Sequence, residues 1–229
     1  MTHAGDRSRP SLLDAIHHEP LRERVAAVIR EAIFDGSLHP GAPLVEKTIA
    51  EDLQISRAPV REAIRMLATE GLVDSVSYKG STVRRLSERD VQEVYAMRRL
   101  LERYAVRQVI ERGVDVSRDG LEGATSAMEE AAASGDIATL NEADERFHRQ
   151  LIELADHELL LGMWTLLALR ARHAIALRNV QIGDPAAVAA NHRAIVDAIA
   201  AGDLERSLDL VSEHIDSGAQ LVLDDWQDD

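Results

Sequence analysis

Apolar residues between residues 21 and 70 recur at steps of three and four, which is the period of an amphipathic α-helix. We predict helices over residues 21–34, 45–53 and 56–70. Ser56 is a favourable N-cap for the third helix, and Gly71 is placed to end it. Apolar and polar residues then alternate over residues 72–83 around a turn, which predicts a β-hairpin. This order of elements is that of a winged helix-turn-helix.

The helical period continues from Ser87 to the end of the chain. Ser87 and Asp90 have the spacing of a capping box, so a long helix is expected to begin there. Glycine, proline and aspartate separate the later periodic segments, and the predicted helices cover residues 87–112, 120–133, 136–155, 157–178, 185–201 and 203–224. The predicted fold is mostly α, with a flexible tail (1–19), a winged helix-turn-helix domain (20–86) and a six-helix bundle (87–229).

Composition supports helices and limits the chemistry. Hydrophobic residues make up 45% of the chain and aromatic residues 3%, which favours helix over sheet. Cysteine is absent, so disulfides and thiolate metal sites are excluded. We find no signal peptide and expect no segment long and uncharged enough to cross a bilayer, so a cytoplasmic location without membrane contact is expected.

The net charge of −14 is unevenly distributed. Residues 20–86 carry a balance of +1, whereas residues 87–229 carry −14. Phosphate attraction is local, because ordinary salt screens charges beyond about 10 Å. The first domain can therefore bind DNA although the whole chain is acidic.

The third helix has the features of a recognition helix. Its apolar stripe contains Val60, Ile64 and Leu67, while Arg57 and Arg61 stand one turn apart on another face. Paired arginines near a helix N-terminus suit base edges in the major groove, and a following hairpin suits the flanking backbone. Double-stranded DNA is the predicted partner.

Four polar residues occupy positions in the bundle where apolar residues are expected. Asp144 and His148 interrupt the stripe of one helix, His192 that of a second, and His214 follows the stripe of a third. Any one such histidine is more often a hydrogen-bonded core residue than a metal ligand. As a set they predict a divalent cation site, because a buried carboxylate needs a partner. Five other histidines are expected at the surface or in turns: His17, His18, His39, His157 and His173.

Two arginines also fall among apolar positions. Arg98 lies on the stripe of the first bundle helix, and Arg170 lies on that of the fourth. A buried arginine pairs with a carboxylate or phosphate, so each is a candidate for binding an acidic effector. An ion pair with a carboxylate of the bundle is the equally weighted alternative.

Several motifs resemble GntR-type transcriptional regulators of the FadR subfamily with an FCD effector domain. They are S-R-x-P-V-R-E-A-I-x-x-L at 56–67, E-G-L-V at 70–73, M-R-x-x-L-E at 97–102, D-x-x-F-H at 144–148, and H-R-A-I-x-x-A-I at 192–199. Six effector helices resemble the VanR-like group. The resemblance implies a homodimer on a symmetric operator and a metal held by Asp144, His148, His192 and His214, with a small organic acid bound nearby.

By the same resemblance Arg57 and Arg61 read the operator, and Lys47 and the wing glycine Gly80 also contact DNA. Ser56 and Lys79 are further candidates for binding DNA. Lys47 stands where some members have arginine, a difference that bears on operator preference. For the metal, zinc is preferred, with nickel or manganese as alternatives. The expected function is a ligand-controlled regulator, with repression favoured over activation. A regulator that senses metal alone and a helical metalloenzyme remain the alternatives.

Overall fold

The computed structural model of the chain describes residues 20–76, 80–116, 120–178 and 184–224. The chain divides at Arg84–Arg85 into two compact units, each with a hydrophobic core of its own. The predicted tail, His17, His18 and Lys79 lie outside the described residues.

The first unit contains three helices and a two-stranded antiparallel sheet. The helices are α1 (Leu21–Phe34), α2 (Glu46–Asp52) and α3 (Arg57–Glu70), and the strands are β1 (Val73–Val76) and β2 (Gly80–Val83). The strands pair from Val73 opposite Val83 to Val76 opposite Gly80. The predicted winged helix-turn-helix is therefore confirmed.

Helix α3 is built as its sequence pattern predicts, with one exception at its start. Its apolar stripe is buried, and Gly71 ends the helix with a φ of 81°, a left-handed conformation that glycine adopts without a steric penalty. Ser56 occupies the N-cap position with an extended backbone, but its exposed side chain makes no capping hydrogen bond. Ser56 is thus the N-cap residue, as predicted, but it lacks the side-chain hydrogen bond that such a residue commonly makes.

Six helices make up the described part of the second unit. Short polar side chains fix several of their starts: Ser87 and Asp90 form a capping box, and Asp136, Asp184 and Asp203 each accept a hydrogen bond from a backbone N–H. The helices are α4 (Glu88–Glu111), α5 (Leu121–Ser134), α6 (Ile137–Leu154), α7 (Glu158–Arg178), α8 (Pro185–Ala200) and α9 (Leu204–Leu223).

Packing places α6, α8 and α9 around one interior. Helix α4 packs against α9, α7 and α6, while α5 lies against α6 and α8, and α8 against α9. The core between them includes the fully buried Phe147, Leu151 and Met128. The apolar faces of α6, α8 and α9 therefore point towards this interior, and so do the polar residues that interrupt them.

Helix α7 departs from the expectation that no segment could span a membrane. Residues Glu158–Ala176 are long and apolar enough to do so by length and composition, and only 28% of that segment is buried. The helix packs against α4, α6 and α9 as part of the bundle. Its composition alone is weak support for a membrane span, and its exposed apolar side chains need another explanation.

Candidate metal centre and nucleic-acid interface

The four predicted ligand side chains converge inside the second unit. Helix α6 supplies Asp144 and His148 from successive turns, α8 supplies His192, and α9 supplies His214. One candidate ligand atom from each residue lies within 4.8 Å of the others. The buried Phe147 ring packs edge-on against the His192 ring at 4.6 Å between centroids and holds it towards the cluster.

Two of the three short separations between these atoms match those of ligands around one ion, and the third is longer. Asp144 Oδ1 lies 3.2 Å from His192 Nε2 and 3.8 Å from His148 Nε2, and the Nε2 atoms of His148 and His214 are 3.0 Å apart. Metal bonds of about 2.1 Å would put neighbouring ligand atoms about 3.0–3.4 Å apart. Three imidazole nitrogens and one carboxylate oxygen could therefore hold a divalent ion.

Hydrogen bonds outside the cluster orient two of the rings. His148 Nδ1 lies 2.6 Å from Glu102 Oε2, and His192 Nδ1 lies 2.9 Å from the Val188 carbonyl oxygen. Both oxygens are acceptors, so each ring donates its Nδ1–H to them and directs Nε2 into the cluster. His192 Nε2 is buried and makes no hydrogen bond within the part of the chain that the structure describes. Such a nitrogen facing a carboxylate oxygen needs a cation or a proton between them.

Burial and mutual charge set the protonation of the cluster. Burial favours a neutral Asp144, but the neighbouring charge of His148 and contact with His192 outweigh it and lower the pKa of that carboxyl far below its usual value. Burial, reinforced by His192 and His148, lowers the pKa of His214 well below normal. The cluster therefore holds an ionised carboxylate and a neutral His214, which are the forms that bind metals. Burial acts against the charged form of His192, but contact with Asp144 outweighs it and raises the pKa of that imidazole.

Glu102 is the centre of the surrounding network, and sequence analysis did not assign it a role. Its side chain is fully buried, and its Oε1 accepts hydrogen bonds from Arg98 Nε at 3.0 Å and Trp164 Nε1 at 3.1 Å. Burial opposes its charge, but His148 and Arg98 outweigh burial and lower the pKa of Glu102 to about 2. The sequence feature that could have indicated this role is the position of Glu102, one turn after Arg98 on the same face of the helix.

A second group of candidate residues lies on the exposed face of the first unit. Arg57 and Arg61 project from the first two turns of α3, and both contact Glu46 at the start of α2. Lys47 is exposed beside Glu51, with 3.8 Å between their charged atoms. Gly80 begins β2 with a φ of 91°. These residues are accessible to a duplex, and their contacts with DNA stay a prediction.

Comparison with known proteins assigns both units. Residues 21–83 match the gntR family of bacterial regulatory proteins, and residues 93–217 match the FCD domain. The chain belongs to the GntR family.

Relatives along nearly the whole chain support this membership. The regulator is 35% identical over 208 residues to a probable D-xylose utilization operon transcriptional repressor of Paenarthrobacter nicotinovorans, covering 89% of this chain and 91% of the relative. It is 26% identical to the gluconate operon transcriptional repressor of Bacillus subtilis, over 89% and 85% of the two chains. A GntR transcriptional regulator of Rhodococcus sp. RHA1 has the same fold, with a TM-score of 0.74, 27% identity and coverage of 90% and 99%.

These similarities decide between the classes of function that the sequence left open. The gntR domain makes this GntR protein a DNA-binding transcription regulator, as predicted. Its relatives are transcription regulators and not enzymes, so the metalloenzyme alternative is rejected.

The two arginines predicted to bind an effector differ in their surroundings. Arg98 is 8% exposed and forms the buried ion pair with Glu102 that was the alternative to effector binding. Its guanidinium carbon also lies 5.5 Å from the centre of the Tyr95 ring. Arg170 is half-buried on α7. A role in effector binding stays a prediction for both.

One histidine was placed wrongly by sequence analysis. His173 was expected at the surface or in a turn, but it lies within α7 and is fully buried. Apolar residues occur on all sides of α7, so its sequence has no clear polar face from which to read the orientation. His39 and His157 are exposed, as expected.

Proposed function

We propose that this GntR protein is a homodimeric repressor whose operator binding is controlled by a small organic acid bound at a divalent metal site in the FCD domain. The metal ligands are Asp144, His148, His192 and His214. The convergence of these four side chains, with lone pairs turned inward by the bonds to Glu102 and Val188, is the observation that carries the proposal. Its site of action is the cytoplasm, where the operator DNA lies.

The ligand set favours zinc, with nickel or manganese as alternatives. Imidazole nitrogen together with one carboxylate suits zinc at tetrahedral or five-coordinate sites, and the same donors also bind nickel and manganese. The bound ion would supply positive charge, and with five or six ligands in total it would keep a coordination position for a carboxylate beside the four protein ligands. Asp144 retains 35% side-chain exposure, so the site has a side that a small molecule could reach.

A carboxylate effector fits the charges around the site. Arg98 Nε donates a hydrogen bond to Glu102, but the guanidinium also carries terminal amino groups with the fork geometry that binds carboxylates. One relative is named as the repressor of the gluconate operon, and gluconate is itself a hydroxy acid. An acid that contacts both the metal site and Arg98 could favour one arrangement of the dimer over the other.

Exposed apolar side chains on α4 and α7 support a dimer. On α4 they recur as Met97, Leu100 and Tyr104, and on the adjacent α7 as Leu159, Met163 and Leu166. Each set follows helical spacing and forms one stripe. A second copy of the chain would bury both stripes, and a two-fold dimer would present two recognition helices to a symmetric operator.

The test is operator binding under controlled metal and acid. The operator is first selected by the full-length protein from a pool of random duplexes, and affinity is then measured by fluorescence anisotropy with chelator, with zinc, and with zinc plus each of a panel of hydroxy acids. We expect one class of acid to weaken binding only when zinc is present. A response to zinc alone, with no acid changing it, would establish a metal sensor instead. Operator affinity that is unchanged by both would refute control through this site.

A further inference from the structure

The carboxylate of Glu46 joins the two arginines of the recognition helix. Glu46 Oε1 lies 3.0 Å from Arg61 Nε, and Oε2 lies 3.1 Å from both Arg61 Nη2 and Arg57 Nη2. Arg61 therefore makes a two-point fork with the carboxylate, and Arg57 joins the same oxygen from the side. The three side chains come from two helices, and both arginines remain at least half exposed.

This arrangement restricts how the guanidinium groups can meet DNA. The side edge of Arg61, formed by Nε and Nη2, is occupied by Glu46, which leaves its terminal end to face outward. An exposed arginine otherwise samples many rotamers and pairs readily with the nearest phosphate. A carboxylate that holds two guanidinium groups side by side fixes both their spacing and their direction.

The carboxylate also reduces the local positive charge. Two guanidinium groups and one carboxylate carry a net charge of +1, so their attraction for phosphate is weaker than that of two free arginines. Phosphate attraction supplies most of the affinity for DNA of random sequence, whereas oriented arginines discriminate guanine from other bases. A negative charge at this position therefore costs general affinity and favours discrimination.

We propose that Glu46 is a specificity-determining residue of the operator interface, which positions Arg57 and Arg61 for guanine edges and suppresses their binding to phosphate. The inference rests on the proposed assignment of these two arginines to base reading. It adds a residue on α2 that contacts no base itself.

The decisive comparison is Glu46→Gln in the full-length protein, measured on the selected operator and on a random duplex of equal length. Gln keeps the shape of Glu but removes the charge. We expect random-duplex affinity to rise roughly three- to tenfold and the ratio of operator to random affinity to fall by at least about fivefold. Glu62→Gln is the matched control, because Glu62 lies on α3 but faces Arg22 at 3.9 Å. It should leave the ratio unchanged.

A second variant separates position from charge. Glu46→Asp retains the negative charge but withdraws the carboxylate by one methylene, so the ratio should fall while random-duplex affinity stays within about twofold. Equal thermal midpoints for the variants and the parent would show that folding is intact. Glu46→Gln with an unchanged or higher ratio would overturn the proposal and leave Glu46 as a simple competitor of DNA. Arg61→Ala with unchanged operator affinity would instead refute the assignment of the arginines.

Discussion

Neutralising Glu102 should lower the free energy of unfolding of the second unit by about 3 kcal/mol at pH 7. Glu102→Gln keeps the shape of the side chain but removes the charge on which Arg98 and His148 depend. In the folded protein the pKa of Glu102 falls from the usual 4.5 to about 2, a difference that corresponds to about 3 kcal/mol. Loss of one partner from a buried ion pair costs a similar amount.

The stability that Glu102 contributes depends on pH, because folding lowers the pKa of its carboxyl group. A carboxyl group whose pKa is lowered by folding contributes stability above its unfolded pKa and loses it as the pH falls through the folded value. The contribution of Glu102 is thus complete above about pH 4.5 and is lost towards pH 2. The difference between parent and variant should therefore narrow by about 1 kcal/mol when the pH is lowered from 7 to 3.5.

Urea unfolding of chelator-treated protein provides the measurement. Trp164 is buried in the core of the second unit, so its fluorescence reports the unfolding of that unit. Glu111→Gln is a suitable control, because Glu111 lies on the same helix in an exposed pair with Arg107, where the expected change is within about 0.5 kcal/mol. A loss below about 1 kcal/mol for Glu102→Gln, or a difference independent of pH, would refute the role assigned to this charge.

Three further outcomes are expected. Zinc added to chelator-treated protein should raise the thermal midpoint, with stabilisation of about 4 kcal/mol at a thousandfold excess over Kd. In a thermal-shift assay His192→Ala should abolish this response. His157→Ala, which changes an exposed histidine, should retain it. Arg57→Ala should cost about 1–3 kcal/mol of operator affinity by anisotropy, and an unchanged affinity would remove this residue from base reading. Leu100→Glu should shift the protein from dimer to monomer in sedimentation experiments, whereas Leu221→Glu, at an exposed position on α9, should leave it dimeric; a Leu100→Glu dimer would exclude this face as the interface.

The sequence predicts the helices of both units to within one residue at each end. Local chemistry explains this accuracy. Aspartate caps begin three bundle helices, and Gly71 and Gly135 end two helices of the chain with positive φ values. Such signals act through neighbouring residues, so they are visible in the chain order.

Contacts between distant segments are less predictable. The spacing of Asp144, His148, His192 and His214 places each on an inward face, so their convergence follows from the packing of three amphipathic helices. Glu102 lies 46 residues before His148, and nothing in the local pattern indicates that a glutamate becomes its hydrogen-bond acceptor. The interaction depends on how α4 crosses α6.

Contacts between exposed groups are also hard to predict from the sequence. Glu46 stands 11 and 15 residues before the arginines that it joins, and the turn between α2 and α3 determines that contact. His173 lies on a helix that is apolar on most sides, so burial could not be assigned from periodicity. The exposed stripes of α4 and α7 resemble core positions in the sequence, because an apolar surface that awaits a partner has the same pattern as one that is already buried.

Metal stoichiometry measured by calorimetry tests the central claim most directly. Chelator-treated protein should bind one zinc ion per chain. At a pH low enough to protonate imidazole, zinc binding should also release protons, because the ion displaces them from the ligand nitrogens. His214→Ala should weaken that binding by at least about tenfold while the protein remains folded. Folded parent protein that takes up no divalent ion, or binds it equally well without His214, would contradict the assignment of these four side chains to one metal site.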